Sequence, residues 1–445
     1  MPEGEWRTRA RRLGRREFLK AGASSSLALY LAACGGSSKK SGGSGGSPSN
    51  KPVTLNNLFQ QQAGYSAQDL AGMTAAFQKA HPNIKVNNTL VAYEALHDKI
   101  VSAAPAGTYD VVLGDCIWPA EFGSKGIVRD MSDLVNGLDV KAIFPGAIQM
   151  AQYKGKYYGM PWILDTKYMY ANEKLLKKAG VTTDDVKTLP DLVKALKAIK
   201  AKGGVKHPWM GSWVQAEAVV CDYAQFLGAY GGKFLDDSGK PLFNQDGGVQ
   251  ALQFMKSLLD QGLADPASTS ALEADVLKAF AQGRIAMNLN WTFQLAGAKD
   301  PKQSKVANDG VAILHTPSAT SGGPAPGCNG GQPVMITAGS KHVPEAWEFI
   351  KFITSAPVQE DFAKDSLPIW SSSYSNSKVI NAGGKQLVDV AKTQLVDMIL
   401  RPQVTNYNSA SQALQVQIQK ALLGKTDPQT ALNTAAKAFT AQVPG

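Results

Sequence analysis

The sequence predicts an α/β fold with a largely parallel sheet, and three observations support that expectation. Short apolar or β-branched runs alternate with runs of helical periodicity in the first part of the chain. One short run, Tyr109-Asp110-Val111-Val112-Leu113, is apolar enough for a strand covered on both faces. The chain has 445 residues, enough for two domains.

The elements follow in order. Before Ala21 stand Arg7, Arg9, Arg11, Arg12, Arg15, Arg16 and Lys20, and an apolar run from Ala21 to Ala33 leads to Cys34. A basic region before a short apolar one is the layout of an export signal. A permanent span would need about 20 apolar residues. Arg15-Arg16-Glu17-Phe18-Leu19-Lys20 resembles the twin-arginine export motif, with Gly14 where Ser is usual. Leu31-Ala32-Ala33-Cys34 resembles a lipobox, which implies that residues 1–33 are removed and that Cys34 carries lipid. Acyl chains contribute about 0.8 kcal/mol per buried CH₂, so two or more hold a protein to a membrane. The Gly/Ser-rich stretch that follows completes a 34–51 linker that cannot bury a core and reads as a flexible tether.

Beyond the tether, Val53 to Phe59 reads as a strand. Ser66 to Ala80 reads as a helix with Leu70, Met73 and Phe77 on one face. Ile84-Lys85-Val86 is a second strand, Tyr93 to Ala104 a second helix, and Tyr109 to Leu113 a third strand. Tyr157 to Asn172 is rich in aromatics and β-formers, and helix signals dominate from Glu173 to Gln282. Val311 to Leu314 reads as a strand, and helices return over Glu345–Thr354, Ser409–Leu423 and Asp427–Ala441.

Six segments, in this order, resemble the extracellular solute-binding proteins of carbohydrate ABC importers, particularly the maltose- and trehalose-binding group. They are FQKAHPNIKV at 77–86, YEALHDKIVSA at 93–103, DVVLGDCIWPAEFGSKGIVRDMSDL at 110–134, YGMPWILDTKYMYANEKLLKKAG at 158–180, FAQGRIAMNLNWTF at 280–293 and EAWEFIKFIT at 345–354. The resemblance implies a two-lobed periplasmic-binding-protein-like fold with discontinuous lobes, a hinge of crossing strands and a ligand cleft between the lobes. It places the first lobe at 52–163 and 311–340 and the second at 168–310 and 341–445. It implies a monomer that captures a sugar such as an α-linked disaccharide by hinge closure, outside the cytoplasm, and hands it to the importer's membrane subunits. The lipid anchor is its expected membrane attachment.

A sugar presents C–H faces and hydroxyl edges, so its site needs aromatic planes beside acids, amides or Arg. Asp115 and Trp118 follow the strand ending at Leu113, where open α/β sheets bind ligands. Asp165 stands in an apolar run beside Trp162 and Tyr168, costly unless it faces a cleft or a partner. The resemblance implies a sugar-stacking aromatic at Trp291, beside Asn290, and an acid at Glu273. It also implies a late hydrogen-bonding Arg at Arg401. Tyr65 lies in the first strand–helix loop. Gly330, Gly331 and Gln332 form a further corner, with Gln332 where relatives often carry Trp. Trp213 and Trp370 complete the candidates.

Other classes fare worse. The formal charge of +10 falls to +6 without the segment before Cys34, whose 7 basic and 3 acidic residues reduce 46 and 36 to 39 and 33. No dense basic run remains for nucleic acid. Cys116, Cys221 and Cys328 lack CxxC spacing, and His81, His97, His207, His315 and His342 form no metal-spaced cluster. No cofactor, metal or catalytic residue is expected: no GxSxG nucleophile elbow stands between a strand and a helix, and HExxH and P-loop motifs are missing. The rivals are a glycerol phosphate or polyamine binder, a glycoside hydrolase using two carboxylates, and a surface lipoprotein without ligand.

Overall fold

A computed structural model describes residues 51–61 and 64–443. The expected export signal, Cys34 and most of the expected tether lie outside the described residues. Eight strands build two sheets: β1 (Val53–Gln60), β2 (Ile84–Val91), β3 (Val111–Leu113), β4 (Met160–Ile163), β5 (Tyr168–Asn172), β6 (Met287–Asn290), β7 (Val311–Leu314) and β8 (Gln332–Ile336). Seven helices matter for the site: α1 (Ala67–Ala80), α2 (Tyr93–Ala103), α3 (Glu217–Ala229), α4 (Glu273–Ala281), α5 (Phe293–Lys299), α6 (Val343–Thr354) and α7 (Tyr407–Leu422).

Local chemistry explains several of these boundaries. Ser66 caps α1: its Oγ accepts from the Asp69 amide at 3.2 Å while the Asp69 carboxylate accepts from the Ser66 amide at 3.1 Å. The helix then buries Leu70, Met73, Thr74 and Phe77. β2 runs past the expected Val86 because its asparagines pair with β1: Asn57 donates to Asn88 and Asn87 to Asn56. These polar residues carry no strand signal of their own.

The first sheet has the order β2-β1-β3-β8-β4. Its first three strands are parallel, with Val53 opposite Ile84 and Asn57 opposite Val111. β8 is antiparallel to both of its neighbours, β3 and β4, so β4 points the same way as the first three strands. The second sheet, β6-β5-β7, is antiparallel throughout. A largely parallel architecture is therefore correct for one half-sheet only. The chain returns from the second sheet as β8, which enters the first sheet against the direction of its neighbours.

Three crossings link the lobes. One runs from β4 to β5 through residues 164–167, and another from β7 to β8 through residues 315–331. Thr166 and Asn329 form an antiparallel bridge between them. The third is Met398–Ile399, which pairs in parallel with Gly327–Cys328. The alternation of β5 divides the core: Tyr168 and Tyr170 join the larger apolar cluster, whereas Met169 and Ala171 join the second-lobe cluster.

Two expected lobe assignments change. Val311–Leu314 was expected in the first lobe, but it pairs with β5 of the second sheet, Met169 facing Leu314. α6 was expected in the second lobe, yet Ala346, Phe349, Ile350 and Ile353 pack into the cluster of β1, β3 and β8. In both cases the apolar faces bury equally well against either sheet, and long-range packing makes the choice. Among the described residues no helix is long and apolar enough to cross a membrane.

Candidate functional site

A cavity of about 280 Å³ lies between the lobes. Three helices begin at its wall, and each carries a glutamate there: Glu94 on α2, Glu217 on α3 and Glu273 on α4. A helix N-terminus favours negative charge, which explains how so many carboxylates gather in a secluded space. The crossing segments add Asp165, Gly330 and Arg401.

Trp291 follows β6 and presents its indole to the cavity. The ring lies against the crossover at Gly330. A Cβ there would sit 2.3 Å from the indole Cζ3, so glycine is what permits this close approach. The indole Nε1 donates to Glu273 Oε1 at 3.2 Å. The fully buried Lys167 ammonium lies 3.5 Å from the same oxygen and 5.1 Å from the indole centroid. Glu273 Oε2 accepts no hydrogen bond from the described residues.

Asp165 accepts from Thr292 Oγ1 at 2.5 Å and from the Thr292 and Thr166 amides. Among the described residues it has no cationic partner, and burial pushes its pKa up to about 7 despite those hydrogen bonds. On the other wall, Arg401 donates to Asp115 Oδ1 at 2.9 Å and to Glu217 Oε1 at 2.7 Å. Burial works against the guanidinium charge, but these carboxylates outweigh it. Tyr93 donates its hydroxyl to Asp115 Oδ2 at 2.9 Å.

Asp115, Asp165, Glu273, Trp291, Gly330, Gln332 and Arg401 thus meet at one cavity, and Gln332 is paired with Gln60 through reciprocal amide bonds. The remaining candidates stand elsewhere. Trp213 is fully buried and donates to Asp222, so its indole is structural. Trp370 donates to the Thr354 carbonyl. Asn290 points away from the cavity, donating to Gln294 and the Glu273 carbonyl. Gly331 packs where any Cβ would strike Met150 Sδ. Tyr65 packs on Trp162 with ring centroids 5.0 Å apart, and its neighbour Gly64 reaches the cavity instead. Trp118 lies behind Tyr93, nearly parallel to it at 6.0 Å, and donates to Asn408. An aromatic face does not reveal from sequence whether its neighbours are ligand or core.

Sequence reasoning missed Gln60, Tyr93, Glu94, Glu217 and Phe293 in the wall. The rule that ligands sit beyond strand C-termini would have found the first three, since β1 ends at Gln60 and β2 ends just before Tyr93. Phe293, three residues past the end of β6, falls under the same rule, whereas Glu217 has no such signal. Cys116, Cys221 and Cys328 are buried free thiols.

The family model for bacterial extracellular solute-binding proteins matches residues 60–360. A probable ABC transporter-binding protein of Deinococcus radiodurans is 29% identical over 344 residues, covering 74% of this chain and 79% of the relative. The maltose-bound MalE3 of T. maritima is 26% identical with a TM-score of 0.79, covering 87% of this chain and 99% of that one. An ABC transporter solute-binding protein of Agrobacterium radiobacter, in complex with ribitol, is 25% identical with a TM-score of 0.75, covering 88% and 99%.

Proposed function

Since the chain belongs to the bacterial extracellular solute-binding protein family, we propose that its inter-lobe cavity captures a short carbohydrate for an ABC importer. Members of this family work outside the cytoplasm as binding proteins and not as enzymes. The observation that carries the ligand class is the pairing of a plane with acceptors. The Trp291 indole stands beside the open oxygen of Glu273 and the carboxylate of Asp165. That arrangement suits a ring with C–H faces and hydroxyl edges.

The volume lies near the lower end of the roughly 300–1,000 Å³ typical of small-molecule pockets, which favours a mono- or disaccharide over a long chain. Trehalose and maltose are the first candidates, in keeping with the maltose-bound neighbour. A phosphorylated ligand would meet Glu94, Asp115, Asp165, Glu217 and Glu273 against the single guanidinium of Arg401, itself already held by two carboxylates. Asp115, Asp165, Glu273, Trp291, Gln332 and Arg401 are the proposed contacts, with Gly330 seating the indole.

The test is a melting screen of the chain from Pro52 onward against mono- and disaccharides, polyols and glycerol phosphate. A ligand that binds the folded state at 100 times its dissociation constant stabilises it by about 2.7 kcal/mol. A shift with glycerol phosphate and none with sugars would overturn the assignment. Lipidation of Cys34 after twin-arginine export belongs to the same proposal, and so does a monomer. Mass spectrometry of membrane-fraction protein decides the anchor, and an unmodified Cys34 in an intact precursor would refute it.

A further inference from the structure

Lys167 has no solvent exposure and stands in the crossing from β4 to β5. A buried ammonium is costly unless it is paired and hydrogen-bonded. Here it is held on one side by Asp222 Oδ1 at 2.5 Å and Ser212 Oγ at 2.9 Å. Asp222 is in turn fixed by the Ser212 amide at 3.1 Å and by Trp213 Nε1 at 2.9 Å. None of these three residues lines the cavity. On its other side the ammonium meets Glu273 Oε1 and the Trp291 indole face, and both of those residues do.

The ammonium therefore stands between a fixed anchor and the two groups that meet a ligand. Glu273 Oε1 receives both the Lys167 charge and the Trp291 N–H. That double engagement occupies Oε1 and leaves Oε2 as the oxygen without a partner among the described residues. It also ties the indole plane to the carboxylate, and the ammonium under the ring adds a cation–π attraction. Neutral side chains would fill the same space without orienting either group.

We propose that Lys167 is a positioning residue for ligand binding: anchored by Asp222, its ammonium holds the Glu273 carboxylate and the Trp291 indole in their ligand-ready arrangement. This rests on the reading of the cavity as the ligand site. Burial disfavours the Lys167 charge, but Asp222 and Glu273 outweigh burial and raise its pKa, so the ammonium persists across the working pH range.

Removing the lysine alone would strand the Asp222 carboxylate in the core and strongly destabilise the protein. The informative variant is Lys167→Met/Asp222→Asn, in which Asn can still accept from Trp213 and the Ser212 amide. Lys167→Arg keeps the charge and serves as the rescue. The first readout needs no ligand: the indole N–H resonance of Trp291, identified with Trp291→Phe in protein labelled at tryptophan nitrogen. It should move and exchange faster with solvent in the double variant. An unmoved resonance in a folded double variant overturns the proposal.

The second readout is calorimetry with whichever of trehalose, maltose and ribitol binds the unaltered protein tightest. Affinity should fall roughly tenfold in the double variant, the scale of coupling between residues in contact, with much of it restored by Lys167→Arg. In a Trp291→Ala/Glu273→Gln background the same change should add little. Equal losses in both backgrounds also overturn it. If the unaltered protein binds none of the three, the ligand reading falls and the resonance alone decides the positioning role.

Discussion

The two walls of the cavity are built differently. The second-lobe wall, Trp291 with Glu273, is supported from behind by Lys167, Asp222, Ser212 and Trp213, all from the second lobe or the crossing that leads into it. The first-lobe wall, Asp115 with Tyr93, is braced locally by the Ile117 amide and the Trp118 ring, but the cation that pairs with Asp115 comes from outside the lobe. Asp115 is held by Arg401 of the third crossing, which also grips Glu217 of the second lobe. Trp118, behind Tyr93, reaches Asn408 on α7. One wall is complete within its own lobe, and the other is complete only while the lobes hold this arrangement. A ligand should therefore dock on the Trp291 wall first, and closing of the other wall should supply the differential affinity that hinge motion requires.

The largest test of this contrast is Arg401→Leu. It leaves Asp115 and Glu217 without their cation, and breaking a buried pair in this way costs about 3–5 kcal/mol of stability. Denaturant unfolding measures it. A loss below about 1 kcal/mol, the scale of an exposed ion pair, would mean that the first-lobe wall does not depend on the bridge.

Asp165, at the seam between the walls, comes next. Its folded pKa of about 7 stands above the ordinary 3.8, so the folded state holds this proton more firmly than the unfolded chain. That contribution to stability is present below pH 3.8 and is lost as pH rises to about 7. Asp165→Asn removes it. The stability of the variant relative to the native protein should climb by about 1.4 kcal/mol per pH unit across that window and level off above it. Parallel pH profiles from thermal unfolding would place the carboxylate in a better-solvated setting.

Trp291→Ala should cost binding about 2 kcal/mol, roughly 30-fold in dissociation constant, with little change in melting without ligand. Early melting with unchanged affinity in calorimetry would make Trp291 a core residue and leave the second-lobe wall without its plane. The smallest effect is expected for Asn408→Ala. At this exposed position it removes the bond from the Trp118 indole, worth about 1 kcal/mol, without disturbing the buried ring, and should shift the open–closed balance read by small-angle scattering more than it shifts melting.

Much of the fold was legible because its determinants are local. The Ser66 capping box, the Leu70–Met73–Phe77 stripe and the apolar run into Leu113 each act within a few residues. The same locality placed Asp115 and Trp291 at strand ends. It failed for Trp213, Trp118 and Trp370, because a tryptophan beside a predicted cleft looks the same whether its indole meets a ligand, Asp222, Asn408 or a carbonyl. It also passed over Lys167, which is an ordinary surface residue by type and buried only through Asp222, 55 positions away.

The sequence by itself determined the alternation of strands and helices, the six ordered segments that resemble solute-binding proteins, and the acids and aromatics available for a sugar. These follow from side-chain periodicity and loop chemistry, which a chain carries wherever it packs. Only the tertiary structure decided that Val311–Leu314 joins the second sheet and α6 the first lobe. It alone decided that Arg401 meets Asp115 across 286 residues and that a glutamate starts each of three helices at one cavity. Apolar faces and charges are satisfied by any suitable partner, and which partner they find is settled by contacts far apart in the chain.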